Sequence, residues 1–372
     1  MSHEGRIELK RTLVFVACIG LISCSGQSAR ESGEAPSRES TIVWQTPETL
    51  VVAQTPAEPL LDVAVELLDP GVSPEDSTPG AAVRRLESQL LAGDLRQTLI
   101  RSNQWGVVRI VPEASALTPV SIRARILESN GRDLVLDVLV EDALGVVWFE
   151  QTMAYRQSLD ESGARGFQGV FNALGNRLLE AWQARSVERQ RALIEATAIT
   201  YAQELVPDMF SGMIQRSEQG WELVRLPAGD DPMLERIDRV RHQEYLFCDT
   251  IDEQFTELAG RVRPTYGLWR EATLEQMEWL DRYEQRAATR SVKAADSDFS
   301  RMQAEYAAYR SYRIQEQALF DLAEAFDGES QPTVMRTQDQ VFKLEGTLEA
   351  QYETWRRLLR DIYMIEQGSL QW

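Results

Sequence analysis

Apolar and polar positions change rhythm twice along the chain. Leu61 to Leu68 alternates as a strand does, and Asp69-Pro70-Gly71 ends it. From Pro79 to Ser102 the residues Val83, Leu86, Leu90, Leu95 and Leu99 recur at near-helical spacing, which predicts a helix. Trp105 to Val111 reads as a second strand, and a meander follows. Val120, Ile122, Ala124 and Ile126 alternate with Ser121, Arg123 and Arg125. Asn130-Gly131 is the pair preferred in two-residue hairpin turns, where both positions take positive φ. Leu134, Leu136, Val138 and Val140 form the returning face, and Ala143-Leu144-Gly145 turns the chain into a last strand, Val146 to Tyr155.

From about Gly163 the period becomes that of helices. Phe167, Val170, Phe171, Leu174 and Leu178 define one apolar stripe, which fits either a new domain or a helix closing over the sheet. Asp231-Pro232 is a strong helix start, followed by Leu234, Ile237, Cys248, Ile251, Phe255 and Leu258 on one face. Thr273 and Gln276 fit a capping box that opens a further helix with Met277, Leu280 and Tyr283. Phe299, Met302, Tyr306, Tyr309, Phe320 and Ala323 mark a long helix that Gly328 to Pro332 breaks. The last helix carries Val341, Leu344, Leu348, Trp355, Leu358, Ile362 and Ile365 on a heptad-like seam, with Gln351 as its polar intruder. The fold class predicted is α+β: a small α/β domain over 59–158 and a mainly helical domain over 159–372, with the boundary within 156–186.

Lys10 and Arg11 precede an apolar run from Thr12 to Ser23, too short to span a bilayer as a lasting helix and built like a secretory signal. The run closes with Leu21-Ile22-Ser23-Cys24. This resembles the lipobox of bacterial lipoprotein precursors: an aliphatic residue, a tolerant position, a small residue, then cysteine. The resemblance implies cleavage after residue 23, acylation of Cys24, and a membrane partnership through that lipid. Ser25, where an aspartate commonly retains such proteins in the inner membrane, favours the outer membrane, facing the periplasm. Residues 24–58, rich in Ser, Glu, Pro, Thr and Gln, read as the lipidated N-terminus and a flexible tether, with Ile42-Val43-Trp44 as a candidate docking peptide. The strand-helix-strands order is also similar to small α/β domains of envelope lipoproteins in curli secretion and in activation of penicillin-binding proteins. That similarity lies in element order and carries no functional residue across.

Charge and composition then narrow the chemistry. The 39 Lys and Arg against 58 Asp and Glu give −19, and removal of residues 1–23 moves this to −20. Such acidity argues against nucleic acid as a partner and against broad adsorption to anionic lipid. With Cys18 in the signal and Cys24 acylated, Cys248 is left alone and no intramolecular disulfide can form. His242 is the one histidine after the signal, which leaves too few for a di-iron bundle or a His-rich zinc site. Asp238, His242 and Asp249 could share a helix face, as an incomplete metal set or as a solvated one. Cys248 lies on an apolar stripe and reads as packing. Phosphate-binding loops and a nucleophile elbow are missing from the sequence. Tyr266, Trp269, Trp279, Tyr306, Tyr309, Tyr352 and Trp355 read as core, or as the lining of a sugar groove. No catalytic, cofactor or metal residue is therefore assigned, and no cofactor is expected. Two functions remain: an envelope binding, scaffold or assembly factor with a protein partner, and a cell-wall glycan- or peptide-acting enzyme.

Overall fold

The computed structural model describes residues 42–55, 58–113, 116–159, 165–210, 212–217, 220–225, 232–289, 333–337, 340–344 and 347–366, with 302, 306 and 317. Cys24, the signal segment, tether residues 24–41 and most of the helix expected from Phe299 to Ala323 lie outside them. The fold is α+β. Its sheet has six strands: β1 Val43–Gln45, β2 Val63–Glu66, β3 Val108–Val111, β4 Val120–Ser129, β5 Asp133–Asp142 and β6 Val147–Arg156. Their order is β1-β6-β5-β4-β2-β3. The meander β4-β5-β6 is antiparallel, and β2 is flanked on both sides by parallel neighbours.

Helix α1, Pro79–Ser102, crosses from β2 to β3. Thr78 caps its N-terminus by accepting from the Ala81 N–H at 3.3 Å, Pro79 fills the first turn, and Asn103 ends it with φ 52°. Helix α2, Gln168–Gln183, lies against α1 and β6. Its stripe from Phe167 to Leu178 joins Leu91, Leu95 and Leu99 and the inward residues of β2 to β6 in one core. The alternative of a helix closing over the sheet is the observed one.

A second core lies behind β2 and β3. Val63 and Val65 enter the first core, while Ala64 between them enters the second with Val111, so β2 is buried on both faces. Covering this face are α3 Val187–Leu205, the single turn α4 Pro207–Phe210, α5 Pro232–Thr289 and α6 Leu348–Glu366. Both cores thus draw residues from either side of position 158, and the expected domain boundary does not divide the packing.

Several expectations are corrected. Helix α5 runs without interruption for 58 residues, about 87 Å. The supposed capping threonine is mid-helix: Thr273 Oγ1 donates back to the Trp269 carbonyl at 2.8 Å. Val341 and Leu344 belong to a strand, β12 Gln340–Leu344, paired with β11 Thr333–Thr337. A second small hairpin joins β9 Ile214–Ser217 and β10 Gly220–Leu223, and a two-residue pair joins β7 Ser158–Leu159 to β8 Arg165–Gly166. Helix α6 buries Gln351, Tyr352, Trp355, Leu359 and Tyr363, a face rotated from the heptad seam, whose Leu358, Ile362 and Ile365 are only half-buried.

The Asn130-Gly131 hairpin forms, but neither residue has positive φ. Asn130 Oδ1 instead accepts from the N–H groups of Arg132 and Asp133 at 2.8 and 2.7 Å. Glycine is required at 131 for space, since a Cβ there would stand 2.5 Å from Leu274 N on α5.

The expected tether is shorter than its composition suggests. Residues 43–45 pair in parallel with β6, as Val43↔Met153 and Gln45↔Tyr155. Asn172 donates to the Glu48 carbonyl, Asn176 donates to the Thr49 carbonyl and accepts from Val51 N–H, and Asn103 holds the Ala53 carbonyl. This docked strap, residues 42–55, is half apolar, unlike the Ser/Glu-rich stretch before it, and its backbone is bonded to the folded body at Glu48, Thr49, Val51 and Ala53.

Candidate functional site

Helix α5 makes buried polar contacts with the sheet edge, α1, α3 and α6, because it crosses both the back of the sheet and α1. Near its start, Arg241 Nη2 and the Tyr245 hydroxyl donate to the Leu117 carbonyl at 2.6 and 3.0 Å. One turn on, Glu244 is fully buried. The Tyr201 hydroxyl from α3 donates to its Oε2 at 2.6 Å and the Tyr352 hydroxyl from α6 to its Oε1 at 2.5 Å. Arg356 Nε lies 3.5 Å from Oε1, and its Nη2 reaches Glu204 at 3.3 Å. Burial and the Glu244 charge push both tyrosines well above their ordinary range, so the hydroxyls stay protonated and donate. Three helices are thus pinned on one carboxylate.

The next turns face the sheet edge. Arg109 Nε on β3 pairs with Asp249 at 2.8 Å, with its guanidinium 4.1 Å above the Tyr245 ring. Asp252 accepts from the Ile110 N–H at 2.9 Å, and its second oxygen lies 3.0 Å from Arg96 Nε on α1. Burial pushes the Asp252 carboxyl up to about 6, against the opposing pull of Arg96 and the Ile110 amide. Beside it opens a cleft of about 600 Å³ lined by Arg96, Asp249, Asp252, Glu253, Thr256 and Glu257. Further along, Arg263 reaches Asp94 at 2.6 Å, and the Tyr266 hydroxyl and Ser129 both donate to the buried Glu87, at 2.7 and 2.8 Å. Arg132 in the meander hairpin meets Asp281 at 2.8 Å.

The residues singled out by sequence are dispersed. His242 and Asp238 are exposed, while Asp249 turns to Arg109, so the three do not converge. Among the described residues no group of three His, Cys, Asp or Glu is placed to hold a metal ion. Cys248 is buried in the second core, and burial together with Glu244 and Asp252 holds its thiol well above the usual range. A protonated, inaccessible thiol is no nucleophile. Of the aromatics, Tyr266, Tyr352 and Trp355 are core, Trp269 stacks on Tyr266 at 5.9 Å between ring centres, and Tyr306 is exposed. The side chains of Trp279 and Tyr309 lie outside the described residues. Sequence reasoning missed Glu244, whose setting in Arg241-His242-Gln243-Glu244 looks like a solvated face, and the basic partners Arg96 and Arg109.

Compared with known protein families, curated proteins and solved structures, the chain matches none. The likeness in element order to envelope lipoprotein domains therefore lends no residue a role. No helix among the described residues is long and apolar enough to cross a membrane.

Proposed function

We propose that this chain is a lipid-anchored cell-envelope protein, acylated at Cys24 and facing the periplasm from the outer membrane, that binds a protein partner through its helical region. The observation that carries the binding role is the cleft on α5. Four of its six lining residues are carboxylates; Asp249 and Asp252 are paired with Arg109 and Arg96, while Glu253 and Glu257 are exposed. Such a cleft attracts a lysine or arginine side chain of a basic partner, and the net charge of the whole chain steers the approach.

Crosslinking in the envelope tests this with the full chain, with Cys24→Ala, and with Glu253→Lys/Glu257→Lys. The charge-reversed protein keeps the buried ties and should fold. It should lose captured partners that wild type retains, and wild-type capture should weaken as salt shortens the screening length from about 10 Å at 0.1 M to about 3 Å at 1 M. Unchanged capture by the reversed protein refutes the cleft as the binding site.

A second reading, an enzyme acting on cell-wall glycan or peptide, draws on one observation: Asp252 holds a proton up to about pH 6 beside other carboxylates. Against it, Asp252 Oδ1 accepts from the Ile110 amide, and Oδ2 is held in an ion pair with Arg96 at 3.0 Å. Release of soluble fragments from purified cell wall, abolished by Asp252→Asn with folding intact, would favour the enzyme.

A further inference from the structure

The strap that precedes β2 has two kinds of apolar side chain. Leu50 packs inward, its Cδ1 lying 3.4 Å from where a Cβ on Gly175 would stand. Ile42, Trp44, Val51 and Val52 are each at least half exposed. Along β1 the alternation of a strand puts Ile42 and Trp44 on one face. Arg156, the last residue of β6, lies 5.4 Å above the Trp44 ring, and its two bonds to Asp133 hold the guanidinium there in its charged form.

We propose that this face of the strap rests on the lipid bilayer that holds the acylated Cys24, an inference that depends on the acylation reading above. Position is the first argument. Residues 25–41 alone separate Cys24 from Ile42, and 17 residues reach at most about 60 Å when fully extended. Of the described chain, the strap is covalently nearest to the acyl chains.

Chemistry is the second. An indole beside a guanidinium suits the headgroup level, where the ring lies among glycerol and carbonyl groups and the cation meets lipid phosphate. The third argument concerns the alternative occupant, a partner strand. β1 has three residues, and the Gln45 side-chain amide donates to its Val43 carbonyl at 3.1 Å. A short, self-capped edge discourages strand addition, whereas a fluid apolar surface needs no backbone register. Because the chain is strongly acidic, the bilayer it fits is zwitterionic.

The test uses the full chain, produced in a bacterium that processes lipoproteins and reconstituted into phosphatidylcholine vesicles. Nitroxides are placed one at a time through Ile42→Cys, Trp44→Cys and, as an exposed control on β4, Leu127→Cys. Collision rates with oxygen and with a water-soluble nickel chelate are then read, and palmitate incorporation is measured on the same preparation. Labels at 42 and 44 should be shielded from nickel several-fold relative to 127, with oxygen access raised. Because Ile42→Cys leaves Trp44 in place, a strap loosened by Trp44→Cys does not decide the outcome. Palmitate incorporation with equal nickel access at all three positions overturns the strap proposal alone. Absence of palmitate overturns the anchor, and the strap proposal with it.

Discussion

Replacing Gly131 by alanine sets a methyl carbon where the main chain of α5 already lies. The added Cβ would stand 2.5 Å from Leu274 N, 2.8 Å from the Thr273 carbonyl carbon and 3.0 Å from Leu274 Cα. Carbon atoms in ordinary contact sit about 3.5–4.0 Å apart, so the hairpin and the helix must separate by roughly 1 Å. All three obstacles are backbone, and no rotamer change relieves them. Overpacking of this kind costs about 1–3 kcal/mol. Since Gly131 lies outside the left-handed region, alanine itself is unstrained and recovers about 0.4–1 kcal/mol through the unfolded chain. The expected net loss is about 1–2 kcal/mol, limited above by the free energy of peeling the end of α5 from the hairpin. Urea unfolding measures the loss, and hydrogen exchange over residues 266–285 locates it. Gly260→Ala and Gly267→Ala serve as controls, because nothing lies within 4 Å of either added Cβ. Each should stabilise by about 0.5–1 kcal/mol as a helical Gly→Ala change. A Gly131→Ala protein as stable as the parent, with unchanged exchange in α5, would refute the close approach.

Three further outcomes follow from the polar ties. Glu244→Leu strands two buried tyrosine hydroxyls and Arg356, and should cost about 3–5 kcal/mol in urea unfolding, whereas Glu244→Gln, which keeps an acceptor, should cost less; equal losses would show that hydrogen-bond acceptance is irrelevant there. Asp252 has a folded value of about 6 against an ordinary 3.8, so its contribution to stability is full below pH 3.8 and is lost as pH rises through 6. That loss amounts to about 3 kcal/mol at 1.36 kcal/mol per pH unit, and a stability-pH profile with the same slope in Asp252→Asn would exclude Asp252 as its source. Asn176→Ala removes the side chain that grips Thr49 and Val51, so limited proteolysis should cut within 42–58 faster than in wild type while the body survives; unchanged cutting would mean that the strap is held by other contacts.

How much was legible in the sequence depends on how local each signal is. Helix α1 begins and ends at the residues predicted, because Thr78, Pro79 and Asn103 act within one turn of its ends. The meander was equally clear, since strands of ten residues repeat their alternation often enough to fix both period and face. Short elements had no such redundancy: β1 has three residues, β9 and β10 have four each, and all pass as loop. Thr273 and Gln276 form a pattern that also occurs inside helices, and in the fold Thr273 bonds back to the Trp269 carbonyl while the Leu274 backbone lies against the Gly131 hairpin, within a helix that continues. On α6 the heptad reading followed aliphatics, but the face is chosen by Tyr352 and Arg356, which reach Glu244 more than a hundred residues away. The candidate site was illegible for the same reason. Arg96 and Asp252 are unremarkable polar residues on two helices until the fold brings them to 3.0 Å.

The parallel pairing of β1 with β6 has a consequence for the order of assembly. Val43 and Met153 are partners at a separation of 110 residues, and a chain delivered from its N-terminus presents Val43 long before Met153 exists to receive it. Closing that loop is entropically expensive until the intervening β2-α1-β3 unit and the meander have formed. Even α2, whose Asn172 and Asn176 grip the strap, is made after β6. The strap is therefore among the last parts of the α/β body to settle. Throughout that interval residues 42–55 are themselves undocked and open to whatever enzyme acts on the chain, and docking of the strap then withdraws them from that access.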